Sequence, residues 1–535
     1  MELNRALLYL RTVRHLRPAQ VLHRVRLRGQ RVIVGRFPER VEALLTRPVP
    51  SDVGWPDSFV SVDARLTWPA LEELESGKMT LLGQSRVLGT PPEWRQPDAE
   101  QLWSYHLHYW DWAWGLTHDP DRLRARAVFR RLFTSWVEQT RFGRWDEWSP
   151  YVVALRAWAW CGQYDALVRG SDLEEQFAAA LGLHAGYLQA YLELDVGGNH
   201  LIKNLKALVG LGVFLRDDQM RQRAVCRLRS EVARQVLPDG GHYERAPAYH
   251  CQVLSDLIDV DGLLGTSSPG WLFETVTHMR RWLGLVLLPD GTVPLVNDGY
   301  PVTAELLALL EPGGPPEEGL TLLPDSGLAV LRRGDLHVLA DVGPPCPDEL
   351  PAHAHADTLG FLFYAGTACL VGECSTSTYE AGPVRDYERG TAAHSTLQVD
   401  GVNSTEVWGA FRAARRARPA VLRTHNDDHE TVLSGSHDGY TRLSGQPVHT
   451  RTWSLTDTRL RVVDELSGSG DHDVVFRLHG TPANAIRTSS GLLVERSTRS
   501  AKAWNQRSAS VALEHAVHTG LPWRFEVELA AEENT

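Results

Sequence analysis

Apolar residues recur at helical spacing from about residue 100 to 310 and at alternating spacing beyond, which predicts a helical region followed by a β region. In the first region Leu173, Phe177, Leu181, His184, Leu188 and Tyr191 follow at steps of three or four behind a capping-box pattern, Ser171 to Glu174. They predict one helix closed by Gly197-Gly198. Leu201, Leu205, Leu208, Gly212 and Leu215 stripe the next helix, and a third runs from about Asp218 to Leu237 and stops at Pro238-Asp239-Gly240-Gly241. Helix pairs in succession close into a bundle, a solenoid or a toroid, and periodicity does not choose. Further on, Ala329–Arg333 and Leu336–Asp341 flank Gly334-Asp335 as a hairpin, while Val474, Phe476 and Leu478 alternate along one strand face. The Pro/Gly-rich stretch Glu311 to Pro316 is the boundary, and the many short strands after it predict an antiparallel β-sandwich. The expected division is an N-terminal arm with first helices over 1–95, a helical domain over 96–315 and a sandwich over 316–535.

A chain of 535 residues with 43% hydrophobic and 23% charged residues is an ordinary globular composition, long enough for more than one core. The net charge of −11 argues against a nucleic-acid partner. Arg24, Arg26, Arg28, Arg31, Arg36 and Arg40 nevertheless crowd the first segment, read as a solvated helix face or interdomain strap ahead of substrate steering. The six cysteines show no paired spacing and read as buried thiols. No signal-peptide or membrane-length apolar run is present, so the expectation is a cytoplasmic protein, with export by an unrecognised route as the alternative.

Three clusters carry candidate chemistry. Gly197-Gly198-Asn199-His200 lies between two helices, with Lys203 and Lys206 nearby; Asn199 reads either as a helix cap or as a donor that receives a carboxylate at the helix start. His242-Tyr243-Glu244-Arg245-Ala246-Pro247-Ala248-Tyr249-His250 packs a phenol, imidazoles, a carboxylate and a guanidinium into nine residues at a helix whose first turn is marked by Pro247. Tyr249 is there a proton-transfer group or core packing, and Glu244 with Arg245 a binding pair or a structural one. His353-Ala-His355-Ala-Asp357, read as a strand, would place its three polar side chains on one face, and with Glu373 and His394 suits a zinc-like or manganese-like ion.

Taken in order, Gly198-Asn199-His200-Leu201, Gly241-His242-Tyr243-Glu244-Arg245 with Pro247 and Tyr249-His250, Asn297-Asp298-Gly299, His353-Ala-His355-Ala-Asp357 with Gly360, and Ala393-His394-Ser395-Thr396 resemble the heparinase II/III family. The tract Leu102 to Trp112 is similar to that family's N-terminal region. The resemblance implies an incomplete (α/α) toroid followed by an antiparallel β-sandwich, with the active site between them, cleaving uronic-acid polysaccharides by β-elimination. It gives Asn199 and His200 the uronate carboxylate, Tyr249 the proton transfers, and His353 the part of base or of partner in the acid/base pair. His355, Glu373 and His394 would hold a structural divalent metal; one departure is Glu373, where some members carry Asp. No organic cofactor is expected.

Removing the C5 proton of a uronate builds charge on its carboxylate, so donors at a helix start stabilise the transition state. Substrate contacts are expected from Tyr105, His108 and Trp148 of the aromatic tracts, and from Lys203, Glu244, Arg245, His250 and Asn297. The expected partner is therefore an anionic polysaccharide or oligosaccharide, in processing of the producer's own exopolysaccharide. A uronate C5-epimerase would use similar residues, and an inactive polysaccharide-binding protein would retain the surface alone. A glycoside hydrolase, for which Glu147, Glu244 and Asp298 are available, explains the Asn, Tyr and His set less well.

Overall fold

The computed structural model describes residues 2–144, 146–480, 486–488 and 493–530; Trp145, one of the aromatic residues of the first region, lies outside them. The chain forms two compact units, Arg17–Gln235 with Gln252–Val276, and Met1–Leu16 with Val236–Cys251 and Thr277–Thr535. The architecture is an incomplete (α/α) toroid and an antiparallel β-sandwich; periodicity predicts the helices and the strands, and the family resemblance implies the toroid.

In the helical unit Gly198–Phe214 packs against Pro150–Leu167 and Asp218–Gln235. The core is aromatic: Trp110 meets Trp94, Trp112, Phe129, Phe133, Trp136 and Trp160. A charge is buried among these rings. The Arg156 guanidinium lies 4.4 Å from the Trp136 ring and donates to His184 Nε2 at 2.9 Å and to the His108 carbonyl at 3.1 Å.

Two local readings change. The helix through Phe177 starts at Glu174, and the Glu174 carboxylate accepts from the Tyr164 hydroxyl at 2.5 Å and from Gly170 N–H at 3.3 Å, where the sequence pattern predicted a capping box. That helix ends at Ala190. Gly197, at φ 72°, is the N-cap of the next helix, so Asn199 sits inside its first turn and is not its cap. The turn between them is locked because Glu193 N–H donates to Asn204 Oδ1 and Asn204 Nδ2 donates to Glu193 Oε2, each at 3.0 Å.

Among the described residues of the second unit all strand pairings are antiparallel, in sheets of six, five and four strands and a two-stranded ribbon. The Leu328–Arg333 and Leu336–Asp341 hairpin turns at Gly334-Asp335 as expected, and Val474, Phe476 and Leu478 are fully buried. The three larger sheets share one core, in which Leu331, Val338 and Phe363 meet Trp453, Phe476 and Phe525. The opposite face of the five-stranded sheet, through Val330, Leu339 and Leu362, covers Trp282 and Val286. Four of the six thiols are buried; Cys226 and Cys369 are exposed, contrary to the reading from sequence, and all six are free.

Candidate active site

The second unit gathers residues from four distant segments around Asp298. Asp298 Oδ2 meets His353 Nδ1 at 2.9 Å, Oδ1 meets His355 Nε2 at 2.8 Å, and Arg385 donates to both oxygens, through Nη2 at 2.7 Å. Thr376 adds a hydroxyl at 3.2 Å. Burial alone would raise this carboxyl, but the Arg385 charge and the hydrogen bonds prevail and hold it well below the usual carboxylate range.

The other ring nitrogen of His353 lies 3.1 Å from Glu244 Oε2. Burial disfavours the charged imidazole, yet hydrogen bonds to two carboxylates outweigh it and carry its pKa up to about 9. His353 is therefore an imidazolium at neutral pH with both N–H groups engaged, which removes it as a free base. His355, two residues on, is pushed down to about 3, first by burial, and is a neutral imidazole. One carboxylate thus serves two histidines in opposite protonation states.

Tyr249 stands in the first turn of helix Pro247–Leu264, entered through Arg245 in the left-handed region at φ 60°. Its ring stacks on His353 with centroids 3.9 Å apart and meets Tyr300 edge-on. Its hydroxyl is 2.6 Å from the hydroxyl of Tyr379, whose ring lies 4.9 Å from the Arg385 guanidinium. Burial pushes the Tyr249 phenol well above its ordinary value, so it rests as a neutral phenol.

Several expected contacts have structural duties. Arg245 donates to the Ser326 carbonyl at 2.6 Å. His250, pushed down to about 3 by burial, bonds the Met279 carbonyl at 3.1 Å and packs on Trp282. Asn297 ties two loops together, donating to the Arg245 carbonyl at 2.9 Å and accepting from His355 N–H at 3.0 Å. Glu244 reaches the site, through His353. The segment His353 to Asp357 is a loop, not a strand, held by Asn297 at His355 N–H, by Arg389 Nε at the Ala354 carbonyl and by the Arg389 carbonyl at Ala356 N–H.

In the helical unit, Asn199 is buried in the first turn of Gly198–Phe214. His200 is partly exposed; its Nδ1 is 3.1 Å from Glu193 Oε1 and its ring lies 4.2 Å from that of Tyr151. Tyr105 joins the same aromatic patch through Tyr109 and Tyr151. Lys203 gives its ammonium to Asp256 at 2.7 Å, so its charge is neutralised inside the fold. His108 and Trp148 are core residues: His108 accepts from Trp136 Nε1 at 3.1 Å and is pushed down to about 3 by burial, and Trp148 packs on Phe142, His184 and Tyr187. Tyr379 and Arg385 were not among the expected site residues, and Asp298 was named only as a carboxylate available to a hydrolase. Asp298 falls inside a quoted motif, but Tyr379 and Arg385 carry no spacing signal.

The residues expected to hold a metal are close but not convergent. Glu373 Oε2 bonds His394 Nδ1 at 2.6 Å and the rings of His355 and His394 are 5.3 Å apart, yet among the described residues no three such side chains stand at ligating separations. Their chemistry does fit a cation. His355 Nδ1, His394 Nε2 and both Asp357 oxygens are buried with no hydrogen-bond partner. Asp341, Asp357 and Glu373 line one small cavity; burial raises all three carboxyls, with Asp357 adding repulsion on Asp341 and on Glu373, and Asp298 on Asp357.

Residues 94–311 match the model of the heparinase II/III N-terminus, and residues 315–530 match that of the heparinase II/III-like C-terminal region. A solved heparinase III superposes with a TM-score of 0.72 at 15% identity, covering 92% of this chain and 90% of that one. The FtsZ-localized protein C of Caulobacter vibrioides is 26% identical over 416 residues, 74% of this chain and 70% of its own. The heparin-sulfate lyase of Pedobacter heparinus is 25% identical over 226 residues, 39% of this chain and 34% of its own. Because the two models meet at residues 311 and 315, next to the Pro/Gly-rich boundary, and the fold agrees across both regions, the chain belongs to the heparinase II/III family.

Proposed function

We propose that this chain cleaves a uronate-containing anionic polysaccharide by β-elimination, with Tyr249 as the proton-transfer group. Its family makes it a polysaccharide lyase; substrate class and residue roles are our reading. The observation that carries it is the Tyr249 hydroxyl, stacked on an imidazolium and bonded to a second phenol. In a syn elimination the phenol oxygen takes the C5 proton while its own proton goes to O4. The C5–H and C4–O4 bonds break and a C4=C5 double bond forms. A neutral phenol performs this without first ionising, and the adjacent positive charge of His353 stabilises anionic character on its oxygen during transfer. This suits a ring whose C5 proton and O4 share a face. Asn199 and His200 take the uronate carboxylate, the role the resemblance gives them.

His355, Glu373, His394 and Asp357 are the residues that would hold a divalent cation, and the cation when bound supplies structural charge neutralisation. His355 also fixes Asp298, and Asp298 holds His353 protonated. Glu244 and Asp298 are both committed to His353, which speaks against their use as the carboxylate pair of a hydrolase.

The test is a panel of uronate polymers followed by ultraviolet absorbance of the unsaturated product. Tyr249→Phe should lower the rate roughly 10²–10⁴-fold with folding retained. A C5-epimerase would change stereochemistry without new absorbance. Because one relative, FtsZ-localized protein C, is named for its localisation and not for an activity, binding without turnover is a separate outcome: wild type retaining oligosaccharide but producing no absorbance with any polymer would overturn the lyase reading. Action on the producer's own exopolysaccharide predicts the protein in cell fractions that contain the synthesis machinery; a strictly extracellular pool would refute that role.

A further inference from the structure

We propose that the helix Pro18–Arg36 is a membrane-surface element that lays the protein on an anionic bilayer. Its narrow inner face, Gln20, Leu27 and Val34, is buried, and Gln20 Nε2 donates to the Asp195 carbonyl at 3.2 Å. The opposite face is apolar and in water: Val21, Leu22, Val25, Val32 and Ile33 are 42%, 69%, 64%, 72% and 53% exposed. At 100° per residue these five, with Gly29 between them, span roughly 120° of the helix circumference. Single exposed apolar residues are commonplace, whereas five contiguous ones on one helix form a patch that calls for a partner.

Charge selects the partner. The helix carries five arginines and no acidic residue, in a chain of net charge −11. Arg24 and Arg28 border one side of the apolar face and Arg26 the other, and Arg36 lies in line with its centre at the C-terminal end. Arg24 reaches Asp195 at 3.5 Å and Arg26 the Ala190 carbonyl at 3.0 Å, which anchors the helix while leaving both side chains largely exposed. Apolar side chains centred between long cations are the arrangement of an interfacial helix, whose arginines extend to lipid phosphates while Leu and Val enter the acyl boundary. An anionic polysaccharide would satisfy the arginines but leave Leu22, Val25 and Val32 in water. Spanning is excluded by the arginines, and no described helix is long and apolar enough to cross a membrane.

The experiment is co-sedimentation of the full chain with vesicles of phosphatidylcholine alone and with a third of phosphatidylglycerol, at low and high salt. Expected is binding to the anionic vesicles only, weakened by salt. The variant Leu22→Asn/Val25→Asn/Ile33→Asn and the variant Arg28→Glu/Arg36→Glu should each weaken partitioning by about tenfold or more. Their thermal melting should match wild type, since the substituted side chains face water. Absence of wild-type binding at millimolar lipid, or equal binding by both variants, overturns the proposal. So does a wild-type dimer in light scattering that the apolar variant dissolves with no effect on vesicles, which would assign the face to a second copy of the chain.

Discussion

Replacing Asp298 by Asn removes the charge on which His353, His355 and Arg385 converge while keeping the side chain's shape. Arg385 then remains buried with the Ala410 carbonyl at 3.0 Å and the Tyr379 and Phe411 rings beside it. Breaking a buried pair from one side costs about 3–5 kcal/mol, and that loss is expected at pH 6.5. The pH dependence carries the sharper test. His353 is raised from 6.5 to about 9, so its contribution is full below 6.5 and is lost as pH rises through 9. The difference of about 2.5 pH units corresponds to roughly 3 kcal/mol. In Asp298→Asn one of the two carboxylates that hold that charge is gone and only Glu244 is left. The stability gap between wild type and variant should therefore narrow by roughly 2–3 kcal/mol between pH 6.5 and 9. Urea unfolding of both proteins at half-unit pH steps measures it. Parallel stability curves across that range would refute the claim that Asp298 holds His353 protonated.

Tyr379→Phe removes the hydroxyl 2.6 Å from that of Tyr249 and should lower kcat about tenfold with KM little changed, read in the ultraviolet assay. Lys206→Met takes from buried Asp259 the ammonium that reaches it at 2.7 Å, while Asp256 keeps Lys203 at 2.7 Å, and should cost about 3–5 kcal/mol in urea unfolding. Protein purified without chelator should contain near-stoichiometric divalent metal by elemental analysis, and stripping it should lower the melting temperature; His394→Ala should lose both the metal and the chelator response. Gly186→Ala should melt well below wild type, because a Cβ there would sit 1.8 Å from the Leu45 carbonyl oxygen.

The sequence by itself determined what depends on neighbours within a few residues. The spacing from Leu201 to Leu215 and the alternation of Val474, Phe476 and Leu478 place helix and strand correctly, because burial on one face imposes those periods. Pro247 marks a helix start for an equally local reason, its fixed φ and missing N–H. The local rules failed where competing partners came from far along the chain. Glu174 left the expected capping box for the Tyr164 hydroxyl, and His353 to Asp357 became a loop anchored by Asn297. Only the tertiary structure decided the site's electrostatics. His353 and His355 are the same residue type two positions apart, and nothing local distinguishes them. Glu244, 109 positions before His353, supplies the second carboxylate that makes one an imidazolium, while the other stays neutral beside Arg385 and His394. Buried charge responds to what lies within a few ångströms, and that distance is set by the fold.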